Sequence, residues 1–304
     1  LEVFIAGGTG FVGPYLARAL LERGFKVKVL VRRPEKALVV PQGASLSYGN
    51  PTVAGDWLHD CAKADVVINL VGTNIFARWT KAYKELIRES RLSATKNIVS
   101  VLSKGQILLN ASAVGYYGAD RGEEEITEES APGKDFLAKV CQEWEEMAFS
   151  ATQKGVRVCT LRFGIILGQK GGALSKMLLP FKLGLGGPIG KGNQWFPWIH
   201  IEDVARGSIF LIKEKELSGP FNFVAPQIVR NKEFAKTLAR VLKRPAFMSV
   251  PPKMLEMIFG ELTMLLTGGV KARPKRLLDA GYKFSFPELY PALQDLLKKK
   301  LFRR

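Results

Sequence analysis

Val3-Phe4-Ile5-Ala6-Gly7-Gly8-Thr9-Gly10-Phe11-Val12-Gly13 decides how this chain folds. Four apolar residues in a row, two of them β-branched, read as a short strand buried on both faces. They run into a turn with glycine at positions 7, 10 and 13, and a helical pattern follows from Tyr15 to Glu22, with Gly24 placed to cap it. Each glycine has its own reason in such a turn. Gly7 permits the tight bend, Gly10 lets a pyrophosphate approach the backbone, and Gly13 lets the helix lie close on the sheet. The helix start offers free N–H groups and a positive dipole end to the phosphates. Thr9, Phe11 and Val12 complete this candidate dinucleotide site. A glycine triplet alone marks only a turn; its position after a first strand gives it meaning.

Working outward, short β-branched runs alternate with helical patterns. Val27–Val31, Leu46–Tyr48, Asp65–Val71, Ile107–Ala111 and Val156–Phe163 read as further strands. Trp79–Leu102 and Phe136–Thr152 read as helices between them. Six strands with intervening helices predict a Rossmann-type α/β fold, a doubly wound parallel sheet. After Gly168 the chain turns glycine-rich, then returns to sheet-like segments at Trp198–Ile201 and Phe221–Val224; helices and loops dominate from Asn231. This pattern predicts a cofactor domain of residues 1–168 with a returning segment at about 198–225. A smaller, substrate-side region is expected from 169–197 and 226–304.

Strand two ends at Val31-Arg32-Arg33-Pro34. A carboxylate there would accept bonds from the ribose hydroxyls of NAD. Two guanidinium groups instead suit the extra phosphate of NADP(H) through charge-assisted bonds. The alternative is a pair of solvated surface arginines.

The 304-residue chain has a net charge of +17, which suits nucleic acid, an anionic membrane surface or an acidic ligand. Its lysines and arginines are spread out and no nucleic-acid module is visible, so no nucleic-acid partner is expected. The dense basic run, Lys298 to Arg304, reads as a solvated, frayed end. No apolar run approaches the roughly 20 residues of a membrane span; Met254–Leu266 is short and carries Glu256 and Glu261. With a strand at its start and no leader pattern, the chain reads as cytoplasmic. Cys61, Cys141 and Cys159 are scattered, and only His59 and His200 accompany them, so buried thiols and no metal site are expected.

Longer motifs narrow the reading. They include Asn69-Leu70-Val71-Gly72, Asn110-Ala111-Ser112-Ala113-Val114-Gly115-Tyr116-Tyr117-Gly118, Leu161-Arg162-Phe163-Gly164-Ile165 and Trp198-Ile199-His200-Ile201-Glu202-Asp203. With Leu179–Gly190 and Arg273–Phe284, they resemble the extended short-chain dehydrogenase/reductase superfamily. The closer resemblance is to its atypical "epimerase family protein" branch. That resemblance implies NADP(H) contacts from Asn69, Leu70, Val71, Gly72 and Thr73 on the adenosine side. It places Ala111, Phe163, Gly164 and Ile165 along the cofactor, with the last three near the nicotinamide, and implies a homodimer through the helices at 79–102 and 136–152. Arg78, after strand four, is a candidate for a phosphate, or else a solvated arginine.

The superfamily's usual chemistry needs a serine and a Tyr-x-x-x-Lys pair. Ser112 matches the serine. Anchoring the helix on Glu145 puts Leu137 and Cys141 where the pair belongs, and Lys139, about 200° away around the helix, should face elsewhere. Tyr117, with Ser112, is the candidate replacement proton donor; the alternative is that Tyr116 and Tyr117 pack with satisfied hydroxyls. His200 is a candidate acid–base group or a structural residue, and Asp203 fits a helix N-cap. Trp195, Phe196 and Trp198 floor a pocket or pack a core. The expected function is an oxidoreductase or epimerase-like enzyme on a small molecule; a non-catalytic NADP(H)-binding or redox-sensing protein is the alternative.

Overall fold

A computed structural model describes residues 1–246 and 248–298. The basic run from position 299 onward therefore lies outside the described residues. Strands β1 (Glu2–Ala6), β2 (Lys26–Val31), β3 (Ser45–Tyr48), β4 (Val66–Asn69) and β5 (Ile107–Ala113) come first. They are followed by β6 (Asp120–Ile126), β7 (Arg157–Phe163), β8 (Ile165–Gly168), β9 (Trp198–His200), β10 (Gly219–Phe223) and β11 (Gly269–Ala272). The central sheet has seven strands in the order β3-β2-β1-β4-β5-β7-β10, all parallel. Order reverses at β1, so the crevice between β1 and β4 opens beside the glycine turn, where ligands bind in such sheets.

Helices α1 (Gly13–Leu21), α2 (Trp57–Lys63), α3 (Lys81–Val101), α4 (Phe136–Phe149), α5 (Gly172–Lys182), α6 (Ile201–Lys213) and α7 (Asn231–Leu242) cover the sheet and its ends. The two-residue period of β1 sorts its side chains. Val3 and Ile5 pack with Leu16 and Leu20 of α1 and with Val204 and Ile209 of α6. Phe4 and Ala6 face the opposite layer, with Trp57, Ile98 and Ala148. Each of the buried valines, leucines, isoleucines and the phenylalanine among them contributes about 1.5–3 kcal/mol.

Several elements differ from the sequence expectation. β6, Asp-Arg-Gly-Glu-Glu-Glu-Ile, has no apolar alternation; it exists because it pairs with β11 far along the chain. The glycine-rich stretch after Gly168 contains α5, which tolerates Pro180 in its interior. β8 and β9 form a small parallel sheet of their own. The cap of α6 is His200, whose Nδ1 accepts the Glu202 N–H at 3.1 Å. Asp203, expected as the cap, lies inside the helix. Its carboxylate accepts from the Ser285 and Phe286 amides at 2.7 and 2.9 Å and from the Tyr282 hydroxyl at 3.0 Å, tying the C-terminal segment to α6.

Gly13 sits at the start of α1 with no room for a side chain: a Cβ would lie 2.1 Å from the Gly8 carbonyl oxygen. The partner is backbone and cannot rotate away. Gly13→Ala is expected to cost about 2–4 kcal/mol through displacement of the turn. Urea denaturation of the two proteins measures it, and equal midpoints would contradict this packing.

Candidate cofactor site and the buried polar network behind it

The turn is built from backbone. Gly7 holds φ +77°, and a Cβ there would meet the Leu70 carbonyl carbon at 2.7 Å and the Val71 nitrogen at 2.9 Å. Gly10 donates to the Gly7 carbonyl at 3.1 Å and is itself exposed, with only that oxygen within 4 Å of a built Cβ. Its bare Cα therefore faces open space. At the start of α1, Val12 supplies no side-chain cap and the first turn carries no acid. Uncapped amides and the positive helix end fit a diphosphate. Thr9 and Val12 are half-buried at the same rim. Phe11 is held from outside: Cβ atoms built on Gly168, Gly171 and Gly172 would come within 2.5–2.7 Å of its ring. Those glycines, at the start of the glycine-rich stretch, leave room for the ring.

The end of β4 forms the opposite wall. Asn69, fully buried, donates to Asn110 Oδ1 at 2.7 Å and to Thr95 Oγ1 at 2.9 Å, and accepts the Val71 N–H at 3.1 Å. This fixes the Leu70–Val71 peptide that Gly7 abuts. Gly72 lies flat on the Arg91 guanidinium, whose Cζ would be 2.9 Å from a Cβ there. Arg91 donates to the Ile87 and Thr73 carbonyls, and Ser90 Oγ accepts the Thr73 N–H. Arg32 and Arg33, at the end of β2 next to β1, are exposed and make no ion pair among the described residues. Arg78 is exposed on the loop after β4, against Gly260. That loop is bridged by Lys176 of α5 over the Phe76 ring and followed by a Lys84–Glu261 ion pair.

Ala111 is buried on β5. Phe163 packs edge-on against Phe223, and Gly164 is pressed onto Pro197, whose carbonyl accepts the Ile165 N–H at 2.6 Å. Trp195 lies under the Arg230 guanidinium, while Phe196 stacks on Phe234 and Trp198 donates to the Gln227 carbonyl, so the latter two are core. His200 is buried and stacked on Phe286, with Nε2 3.5 Å from Asp295.

Ser112 and Tyr117 are brought together, but through charges. Ser112 Oγ donates to Glu145 Oε1 at 2.6 Å. Arg162 grips both oxygens of Glu145, at 2.8 and 2.7 Å, and donates to the Tyr117 hydroxyl at 2.8 Å. Tyr117 in turn donates to Asn222 Oδ1 at 2.7 Å. Asn222 and Arg276 both give backbone amides to the Glu128 carboxylate. Tyr117 has no exposed surface, and burial pushes its phenol up to about 12. This is the packed, satisfied arrangement of the two alternatives, not that of a proton donor open to a ligand. Desolvation disfavours the Arg162 charge, but the bonds and attraction of Glu145 outweigh it and hold the guanidinium above its ordinary range. On α4, Leu137 and Cys141 are buried beside this network, burial pushes the Cys141 thiol up to about 12, and Lys139 is exposed on the other face.

The sequence reading did not single out Glu128, Asn222 or Arg276. One signal was available: Arg162 sits between Leu161 and Phe163 near the end of a strand of the central sheet, and a buried guanidinium requires an acid.

Residues 3–223 match the model of the NAD dependent epimerase/dehydratase family. The chain belongs to that family. Residues 250–296 of this epimerase/dehydratase family member match a second model, a domain of unknown function, DUF1731. Epimerase family protein YfhF of Bacillus subtilis is 36% identical over 309 residues, covering 98% of each chain. Mouse epimerase family protein SDR39U1 is 38% identical over 307 residues, covering 98% of this chain and all of its own length. The crystal structure of human epimerase family protein SDR39U1 with NADPH superposes with a TM-score of 0.87 at 33% identity, covering 98% of this chain and 99% of that one. The narrower resemblance read from the motifs is thus borne out.

Glu145→Gln leaves Arg162 buried without its countercharge and is expected to cost about 3–5 kcal/mol in chemical denaturation. A loss below about 1 kcal/mol would contradict the network. Tyr117→Phe should cost about 1–3 kcal/mol at neutral pH by orphaning its partners. A phenol with a raised pKa stabilises the fold below its ordinary value of 10.0 and loses that contribution as pH climbs toward about 12. The stability gap between wild type and Tyr117→Phe should therefore shrink over that window.

Proposed function

We propose that this family member binds NADP(H) and acts as an oxidoreductase or epimerase-like enzyme on a small molecule, without the usual Tyr-x-x-x-Lys pair. The observation that carries the cofactor reading is the pairing of two features: exposed Arg32 and Arg33 at the end of β2, without an ion pair among the described residues, and the bare Gly10 backbone with an uncapped helix start one strand away. Together they supply amides for a diphosphate and cations for a ribose phosphate. Asn69, Leu70, Val71, Gly72, Thr73 and Ala111 would line the cofactor along β4 and β5, with Phe163, Gly164 and Ile165 toward its nicotinamide and Arg78 in reach of a phosphate. NADPH bound to the human relative supports the same choice. When bound, the cofactor supplies or accepts a hydride; the chain's own part is to hold and orient it.

A second reading, an NADP(H)-binding sensor without turnover, is favoured by one observation. The Ser112 and Tyr117 hydroxyls are both committed to buried partners, and α4 presents Leu137 and Cys141 in their vicinity. Hydride exchange from labelled NADPH into a metabolite pool separates the readings: transferred label supports the enzyme, and none over long incubation supports the sensor.

Arg32→Ala with Arg33→Ala should weaken NADPH binding by about tenfold to a hundredfold and leave NADH binding nearly unchanged, as loss of charge-assisted bonds to one phosphate requires. Calorimetric titration measures both. Equal losses for the two nucleotides, or tighter NADH binding by the wild type, would overturn the assignment.

A further inference from the structure

The excess positive charge is not absorbed by a cofactor site. From Met147 to Ile201 the chain has no Asp or Glu, and the same is true from Phe234 to Leu255. The fold brings these two acid-free stretches together. Gly184, just past α5, lies against Pro245, just past α7, with a built Cβ 3.5 Å from the proline ring. Gly187 is pressed on the Met248 carbonyl, and Ile189 bridges to Val250.

At this junction apolar side chains stand in solvent. Leu179 and Leu183, one turn apart on and just beyond α5, are each 65% exposed; Leu185 is 54% and Met248 46% exposed. Around them Lys182, Lys243 and Arg244 are exposed and make no ion pair among the described residues. Lys176 borders the same face of α5.

We propose that this surface docks the protein on an anionic lipid bilayer. Large exposed leucines beside cations, on two stretches that contain no Asp or Glu, match the two components of interfacial binding: apolar insertion below the headgroups and attraction to their charge. A nucleic-acid surface would call for stacking rings between the cations; among the described residues the large exposed side chains beside Lys182, Lys243 and Arg244 are leucines and a methionine. The first turn of α5 touches Phe11 of the glycine turn, so one helix joins the cofactor site to the patch at its other end.

Sedimentation of the full chain with vesicles of phosphatidylcholine, alone or mixed with phosphatidylglycerol, tests this. Binding to the anionic vesicles is expected, and it should fall at high salt. Leu179→Gln and Leu183→Gln should each weaken it about tenfold. Lys182→Gln, Lys243→Gln and Arg244→Gln should each weaken it about fivefold. All five positions are exposed, so thermal midpoint and NADPH binding serve as controls and should hold. The proposal is overturned by no binding to anionic vesicles. It is equally overturned by binding that both leucine variants leave unchanged, or by duplex DNA held as tightly with the same indifference to the leucines.

Discussion

The contact between bare backbones at Gly7, Gly8 and Gly13 organises the rest of this molecule. Gly13 rests on Gly8, and Gly7 rests on the peptide after β4, at distances that leave no space for a methyl group. Those contacts bring α1 onto β1 and set the end of β4 beside the turn. The same closeness leaves Gly10 as the uncovered member of the triplet. Of three identical residues, two are thus taken by packing and one stays open, by what each one faces.

Behind the turn, the sheet carries a second constraint of opposite character. Between β5, β7 and β10 the core contains Ser112, Glu145, Arg162, Tyr117, Asn222 and Glu128, each with partners. Burying such charges is costly, and the cost is offset only when every group is bonded. The network draws on Arg276 from near the end of the chain, which also donates to the Pro220 and Ser218 carbonyls. This core is therefore completed by a residue outside the segment 3–223 that matches the epimerase/dehydratase model.

Much of this was legible from the chain. The central strands announced themselves because they are apolar and β-branched, and the glycine spacing located the turn. The expectation that Lys139 faces away from Leu137 and Cys141 followed from helical geometry alone. β6 was not legible, since three consecutive glutamates have no apolar period, and its strand character comes from a partner well over a hundred positions away. Nor was α5, whose glycines and proline signal a break until Phe11 is seen filling the space they leave. Asp203 was misjudged for a related reason. An acid before a helical run satisfies local amides in most chains, but here the nearby amides were already served by His200 and the carboxylate was taken by residues 285 and 286.

The pairing of β6 with β11 bears on how the two family-model segments relate. The strand after β5 finds its only described ladder partner in the region matched by DUF1731, and Ile126 accepts the Arg273 amide beside it. A chain ended after the first segment would leave that strand with an open edge, and the carboxylate of Glu128 would lose the Arg276 amide. The C-terminal segment of this chain is therefore not an appendage: it supplies the partner strand of β6 and an amide to the buried Glu128 carboxylate.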